Sequence, residues 1–145
     1  MTRGVALLEL LMVLAIIGLI AGMVIPGSAA LADRVAVEHQ VARVVTAYRS
    51  AWVAARMRQQ LAILRVSADT LAIHTVPYAG HPDTSLAWLA TGPRLAGVAL
   101  AGAHTSVFGP DGLGLGLTNA THVLSKGNAV RRVVVSRLGR VRVFP

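Results

Sequence analysis

The chain has no cysteine among its 145 residues. A disulfide framework, a thiolate nucleophile and a zinc–thiolate site are therefore excluded. Acidic residues are also scarce, because six Asp and Glu stand against fourteen Lys and Arg and leave a formal net charge of +8. A balance of this sign favours acidic partners such as nucleic acid or anionic lipid, although it says nothing about the fold.

The motifs of common catalysts are missing as well. The sequence has no Gly-x-Ser-x-Gly segment and no credible set of Ser, His and acid. The glycine-rich segment 109–116 lacks the Lys-Ser/Thr pair of a phosphate-binding loop, so we interpret it as a connection between strands. The histidines lack the His-x-x-x-His spacing of a metal site. We expect a protein that is not an enzyme and holds no cofactor and no metal.

One long apolar stretch dominates the N-terminal end. Residues 5–25 contain a single charged residue, Glu9. A helix of this length reaches about 31 Å, which is the thickness of the hydrocarbon core of a bilayer. We therefore predict a membrane-spanning helix over residues 5–28, with its N terminus in the cytoplasm because Arg3 lies on that side.

Glu9 is unusual in such a segment, because a carboxylate within a membrane costs roughly 2.5 to 3.5 kcal/mol. Two explanations fit the sequence. The side chain either reaches the cytoplasmic interface or pairs with a cation from another chain. The second explanation predicts that this helix is also an assembly interface.

The segment from Gly4 to Gly18, followed by Pro26, resembles the class III signal of type IV pilins and type II secretion pseudopilins. In that family a prepilin peptidase cleaves after the glycine, here Gly4, and methylates the new N terminus, here Val5, where most members have Phe or Met. The resemblance implies that residues 1–4 are a leader and that Glu9 pairs with the α-amine of a neighbouring subunit. Pro26 lacks an N–H donor, so it either kinks the helix or ends it, and the resemblance implies a kink in a helix that continues.

A second helical segment follows. No proline or glycine interrupts residues 29–58, and apolar side chains recur at three-and-four spacing, so an amphipathic continuation of the helix is predicted. We interpret its aromatic residues, Tyr48 and Trp52, as core residues rather than as parts of a ligand pocket. The remaining predicted core positions are Val37, Val41, Val45 and Ala55.

The region 59–145 changes to short apolar runs separated by turn residues, a pattern typical of antiparallel strands. One helix followed by many strands predicts an α+β fold, in which the long helix packs on an antiparallel, β-sandwich-like periplasmic domain. The predicted runs cover residues 61–66, 71–76, 86–89, 95–100, 105–108, 121–124, 130–136 and 140–144.

The last twenty residues contain six basic and no acidic residues. In a strand over 140–144, Arg140 and Arg142 would lie on one face about 6.6 to 6.8 Å apart, close to the spacing of phosphates along an extended nucleic acid. The alternative is a strand face that is charged to stay soluble and to avoid edge pairing. The six basic residues are Lys126, Arg131, Arg132, Arg137, Arg140 and Arg142.

The segment from Val133 to Arg142, which ends in Gly-Arg-x-Arg, resembles the closing hairpin of the GspH/FimT family of minor pilins and pseudopilins. The first function that this resemblance implies is a structural subunit of a type II secretion pseudopilus or type IV pilus-like filament. The second is a FimT-like minor pilin that binds DNA in natural transformation. The DNA-binding candidates are Arg131, Arg132, Arg137, Arg140 and Arg142.

Both functions imply the same location, a bacterial inner membrane crossed once, with the C-terminal domain in the periplasm. The implied partners are other pilins or pseudopilins, the prepilin peptidase and the inner membrane, with DNA added in the second case. We place assembly first, because the N-terminal motif specifies it and the arginines only permit DNA binding. No small-molecule substrate is expected.

Overall fold

The computed structural model describes residues 3–78, 84–116 and 119–145, without the side chains of residues 3–6 and 23–27. The predicted processing pair, Gly4 and Val5, and the predicted kink residue Pro26 therefore fall where only the backbone is described. Cleavage after Gly4, methylation of Val5 and a kink at Pro26 stay predictions.

The N-terminal part of the fold is one helix, α1, over Arg3–Arg58. It is continuous through position 26 and ends where Gln59 takes a positive φ of 51°. The backbone N–H of Gln60 then donates to the Ala55 carbonyl at 3.2 Å, which closes the last turn. Among the described residues, no helical stretch is both long and apolar enough to cross a membrane, and the span over residues 5–28 stays a prediction.

The two halves of α1 lie in different surroundings. The large apolar side chains described between Leu7 and Ile20 are each at least 50% exposed. From Val37 onward one side of the helix is buried, and positions such as Val44 and Ala47 have no accessible surface. The N-terminal half thus offers an uncovered apolar surface, whereas the C-terminal half is part of the core.

The strands after the helix form two antiparallel sheets. Sheet A has the order β3-β2-β1-β5-β6, and sheet B has the order β4-β7-β8-β9. The strands are β1 Leu61–Val66, β2 Thr70–Val76, β3 Ser85–Thr91, β4 Ala99–Ala101, β5 His104–Phe108, β6 Gly114–Leu115, β7 Ala120–Lys126, β8 Ala129–Val135 and β9 Val141–Phe144. The predicted α+β fold with a helix on antiparallel sheets is confirmed.

One predicted strand was wrong in its extent. The run 95–100 is divided between a 3-10 turn over Pro93–Ala96 and the short strand β4. Pro93 favours the start of a turn because its ring fixes φ, and Gly97 ends it in the left-handed region with a φ of 69°. A strand can therefore begin only after Gly97.

The core lies where α1 contacts strands of both sheets. The predicted stripe is buried at Val37, Val41, Tyr48 and Ala55, whereas Val45 and Trp52 are only partly buried. Because both sheets cover the helix, the buried surface is wider than one stripe. Its additional buried members are Gln40, Val44, Ala47 and Ala51.

Candidate functional site

Glu9 is the predicted assembly residue. It lies on the exposed N-terminal half of α1, between the exposed side chains of Leu8 and Leu10. Within the part of the chain whose side chains are described, it forms no hydrogen bond and no ion pair. A carboxylate in this position, set in an apolar surface, needs a cation from outside the described chain if the surface is covered.

Tyr48 links the helix to both sheets. Its hydroxyl lies 3.2 Å from Ser106 Oγ on β5 of sheet A and 2.8 Å from His122 Nε2 on β7 of sheet B. Its ring meets that of Phe108 edge to face, with centroids 6.3 Å apart. Since Ser106, Phe108 and His122 are all buried, Tyr48 joins the helix to both sheets inside the core.

Burial changes the ionisation of this pair. Burial away from solvent lowers the pKa of His122, and the nearby His104 lowers it further. The backbone of Gly102 acts in the opposite direction and raises this pKa. Burial also raises the pKa of Tyr48, against the effect of its hydrogen bond to Ser106. The Gly102 backbone does not satisfy His122 Nδ1, which has no hydrogen-bond partner among the described atoms. The lowered pKa favours the neutral ring at pH 7, and its Nε2 shares a hydrogen bond with the Tyr48 hydroxyl.

Arg131 does not join the other candidate DNA-binding residues. Its Nε lies 2.6 Å from Glu38 Oε1 on α1, in an ion pair. Along β8 it alternates with the exposed Arg132 and shares the side of Val133 and Val135, which are buried. The strand therefore directs Arg131 toward the helix and Arg132 away from it.

Three of the predicted arginines do lie on one surface, the outer face of sheet B. Opposite the exposed Arg132 stands Phe144, and opposite Val134 stands Arg142. Arg140 and Arg142 line a shallow hollow of about 350 Å³ beside Val134. We name this surface the outer arginine face, and its members are Arg132, Arg140 and Arg142.

The sequence predicts Arg140 inside the last strand, but the structure places it in the turn before that strand. It precedes β9, which begins at Val141, and its backbone N–H donates to Ser136 Oγ at 3.2 Å. Arg137 lies in the same turn, where its N–H donates to Asn119 Oδ1 at 3.0 Å. The arginine side chains of this turn are exposed, so the turn and β9 together present the charge.

A second basic surface was missed at the sequence level. No acidic residue occurs between Glu38 and Asp69, although five arginines lie in that stretch. This local excess of arginine over acidic residues is the sequence feature that could have predicted the second basic surface. Two of these arginines, Arg43 and Arg58, bond to threonine hydroxyls of sheet A, and a third, Arg49, lines a groove beside them.

No group of three metal-ligating side chains comes together within the described ranges. The glycine-rich connection forms a turn, in which Gly112 N–H donates to the Gly109 carbonyl at 2.8 Å and Leu113 N–H donates to Asp111 Oδ1 at 2.9 Å. Residues 109–113 thus connect β5 to β6 as interpreted, whereas Gly114–Leu115, which are predicted to belong to the same connection, form the strand β6.

No protein-family model matches the sequence, and no curated protein has detectable sequence similarity to it. Among solved structures, the chain is similar to the type IV minor pilin FimU of Pseudomonas aeruginosa. In one crystal form the TM-score is 0.61 at 16% identity, over 75% of this chain and 88% of FimU. In a second form the TM-score is 0.59 at 14% identity, over 74% and 92%. The chain therefore has the fold of a type IV minor pilin.

Proposed function

We propose that the protein is a minor subunit of a type IV pilus-like filament. The observation that carries this proposal is the division of α1 into a half that is buried in the domain and a half whose apolar side chains are uncovered from Leu7 to Ile20. Burying such side chains contributes about 25 cal/mol per Å² of apolar surface, and helices of neighbouring subunits supply a matching surface. The fold likeness to a minor pilin supports this assignment.

In this proposal proteolytic processing creates the cation that pairs with Glu9. Cleavage after Gly4 converts an uncharged amide into the α-amine of Val5, which pairs with the Glu9 carboxylate of the adjacent subunit. The pair offsets the cost of burying both charges, and a subunit that is not cleaved lacks the cation. The peptidase is thus a partner that controls assembly competence.

Substitution of Glu9 tests this function. Glu9→Leu removes the carboxylate but keeps the apolar helix, so we expect the variant to accumulate and fold normally but to disappear from the filament fraction. Leu10→Ala on the same exposed surface is a control that leaves the charge pair intact. If the Glu9→Leu variant co-purifies with partner subunits as well as the parent does, the assembly role of Glu9 is wrong.

The filament is either a type IV pilus or a type II secretion pseudopilus, and inner-membrane residence before assembly belongs to the same proposal. Membrane residence is tested by carbonate washing of cell membranes, which strips peripheral proteins. Retention of the full chain in the washed membranes supports the predicted span over residues 5–28, and its release contradicts it. Neighbouring genes for a secretin and other pseudopilins would favour secretion, whereas pilus or competence genes would favour a pilus.

DNA binding is a second candidate function, and the outer arginine face favours it. Its three members lie on one side of sheet B, and none has an acidic partner among the described side chains. Such a surface attracts phosphates without reading bases, so binding should weaken steeply with salt.

A gel shift of the full chain in detergent micelles with duplex DNA tests this candidate. Each phosphate contact contributes about −0.9 to the slope of log affinity against log salt. The double change Arg140→Ala and Arg142→Ala should therefore make the slope about 1.8 shallower, whereas Arg131→Ala should leave it unchanged because Glu38 already pairs with that residue. Absence of a shift at low salt would exclude this function.

A further inference from the structure

A groove runs between the C-terminal third of α1 and the edge strand β3. Its volume is about 420 Å³, and its lining is mostly apolar, with Val53 from the helix and Ala87 and Trp88 from the strand. Arg49 and Arg58 add positive charge to the same lining. The groove lies against sheet A and is therefore separate from the outer arginine face on sheet B.

Hydrogen bonds join α1 to sheet A near both ends of β3. Arg43 Nη2 donates to Thr91 Oγ1 at 3.0 Å, at the end of β3. Arg58 Nη1 donates to Thr75 Oγ1 at 3.1 Å, and that hydroxyl is hydrogen-bonded at 2.7 Å to Ser85 at the start of β3. These two arginines are about 22 Å apart along the helix, and β3 spans roughly 20 to 24 Å. β3 is thus long enough to pair with an extended segment of six or seven residues, and about four of them would lie beside the groove lining between Arg49 and Arg58.

The strand beside the groove has one unpaired edge. Within the described chain β3 pairs only with β2, and a bulge between Ile73 and His74 shifts the register of that pairing. It carries no charged residue, and its side chains Leu86 and Leu89 are 54% and 59% exposed. Edge strands are usually protected by charge or proline, and an unprotected one accepts an additional strand from a partner.

The charge around the groove indicates the chemistry of that partner. Arg49 and Arg58 line the groove, and none of its lining residues is acidic. Arg49 forms no hydrogen bond or ion pair within the described part of the chain. Carboxylates on the partner would complement this charge. A nucleic acid suits the groove less well, because a phosphate backbone needs a polar track and this lining is mostly apolar.

We propose that this groove binds an extended acidic and apolar segment of a partner protein, which adds a strand to β3 and pairs its carboxylates with Arg49 and Arg58. The carboxylates and the apolar side chains occupy alternate positions of that segment on one face, which points into the groove, so that the apolar side chains lie against Val53 and Trp88. The proposal does not depend on filament membership, because it concerns a surface formed by one folded chain.

The test uses a defined probe, a fluorescein-labelled peptide of sequence Glu-Thr-Val-Thr-Glu-Thr-Val, in which the Glu and Val side chains share one face of the strand, with a matched peptide that has Lys in place of each Glu. Binding to the full chain in detergent micelles is measured by anisotropy. We expect saturable binding of the acidic peptide only. Because the charge reversal Arg49→Glu removes an exposed ion pair and adds a repulsion of similar size, it should weaken binding roughly two- to thirtyfold. Val53→Asp, at an exposed position, should have a similar effect.

Arg132→Glu is the matched control, because it reverses one exposed arginine on the other sheet. It should leave the affinity for the acidic peptide unchanged. Three results would overturn the proposal. They are no saturable binding up to about 1 mM, an equal loss in the Arg132→Glu variant, and displacement of the peptide by a single-stranded oligonucleotide whose own binding is weakened by Arg49→Glu.

Discussion

Removing the Tyr48 hydroxyl should destabilise the domain far more than the loss of one oxygen atom suggests. Tyr48→Phe keeps the ring and its edge-to-face contact with Phe108 but deletes the group that lies between Ser106 and His122. His122 has no accessible surface, and its Nδ1 already has no partner among the described atoms. The variant therefore leaves both ring nitrogens of a buried histidine unsatisfied.

The expected loss follows from these contacts. A buried polar group left without its partner costs about 1 to 3 kcal/mol, and the Ser106 hydroxyl adds little because it can rotate. Urea unfolding of the full chain in detergent micelles, monitored by tryptophan fluorescence, should have a lower midpoint for Tyr48→Phe than for the parent chain. With a typical slope of 1 to 3 kcal/mol per molar urea, the shift is on the order of 1 M.

A double-mutant cycle separates this pair from general packing. Replacing His122 by Leu in the Tyr48→Phe background removes both polar partners, and an apolar pair of similar shape avoids the unsatisfied nitrogen. The two substitutions together should therefore cost less than the sum of their separate effects by about 1 kcal/mol or more. A Tyr48→Phe loss below about 0.5 kcal/mol, or strictly additive effects, would refute the link between the two sheets.

Three further predictions concern acidification, a crowded turn and an ion pair. Because folding lowers the pKa of His122 below its usual 6.5, the unfolded chain binds this proton more readily. The contribution of His122 to the free energy of unfolding should be fully present above about pH 6.5 and should fall by up to 1.36 kcal/mol per pH unit below that value. His122→Gln should remove this pH dependence from the urea midpoints. A variant with the same pH profile as the parent chain would contradict the prediction. Gly112 and Gly116 have φ of 81° and 76°, but a Cβ on Gly112 would lie 2.6 Å from Trp52 Nε1 and one on Gly116 would meet nothing within 4 Å. Thermal unfolding should therefore show that Gly112→Ala costs more than the roughly 1 to 2 kcal/mol of Gly116→Ala, and equal losses would argue against the contact. Arg131→Ala should cost only about 0.2 to 1 kcal/mol in urea unfolding, because its ion pair is partly exposed, and a larger loss would show that the pair is part of the core.

Much of the fold was predictable because it is encoded locally. The absence of proline and glycine over residues 29–58 and the three-and-four spacing predict the helix, and turn residues divide the rest into strands. The 3-10 turn over Pro93–Ala96 was missed because the apolar run 95–100 masks a proline that starts a turn and a glycine that ends it. The two-residue strand β6 is too short to have a periodic pattern.

The candidate site was predictable only in part, because its contacts join distant segments. Arg131 and Arg132 are neighbours of the same type, and only the strand direction and Glu38, 93 positions away, separate their roles. The link between Tyr48 and His122 spans 74 positions. Local sequence predicts which residues are charged or apolar, whereas the pairing of sheets decides which of them meet.

The central claim, that the chain is a processed subunit of a filament, is tested most directly by mass spectrometry of its N-terminal peptide from isolated filaments. The account predicts a peptide that begins at N-methylated Val5 and that is present in the filament fraction. It also predicts that a Gly4→Leu variant, which the peptidase should not cleave, is missing from that fraction. Recovery from filaments of a chain that still begins at Met1 would contradict the account.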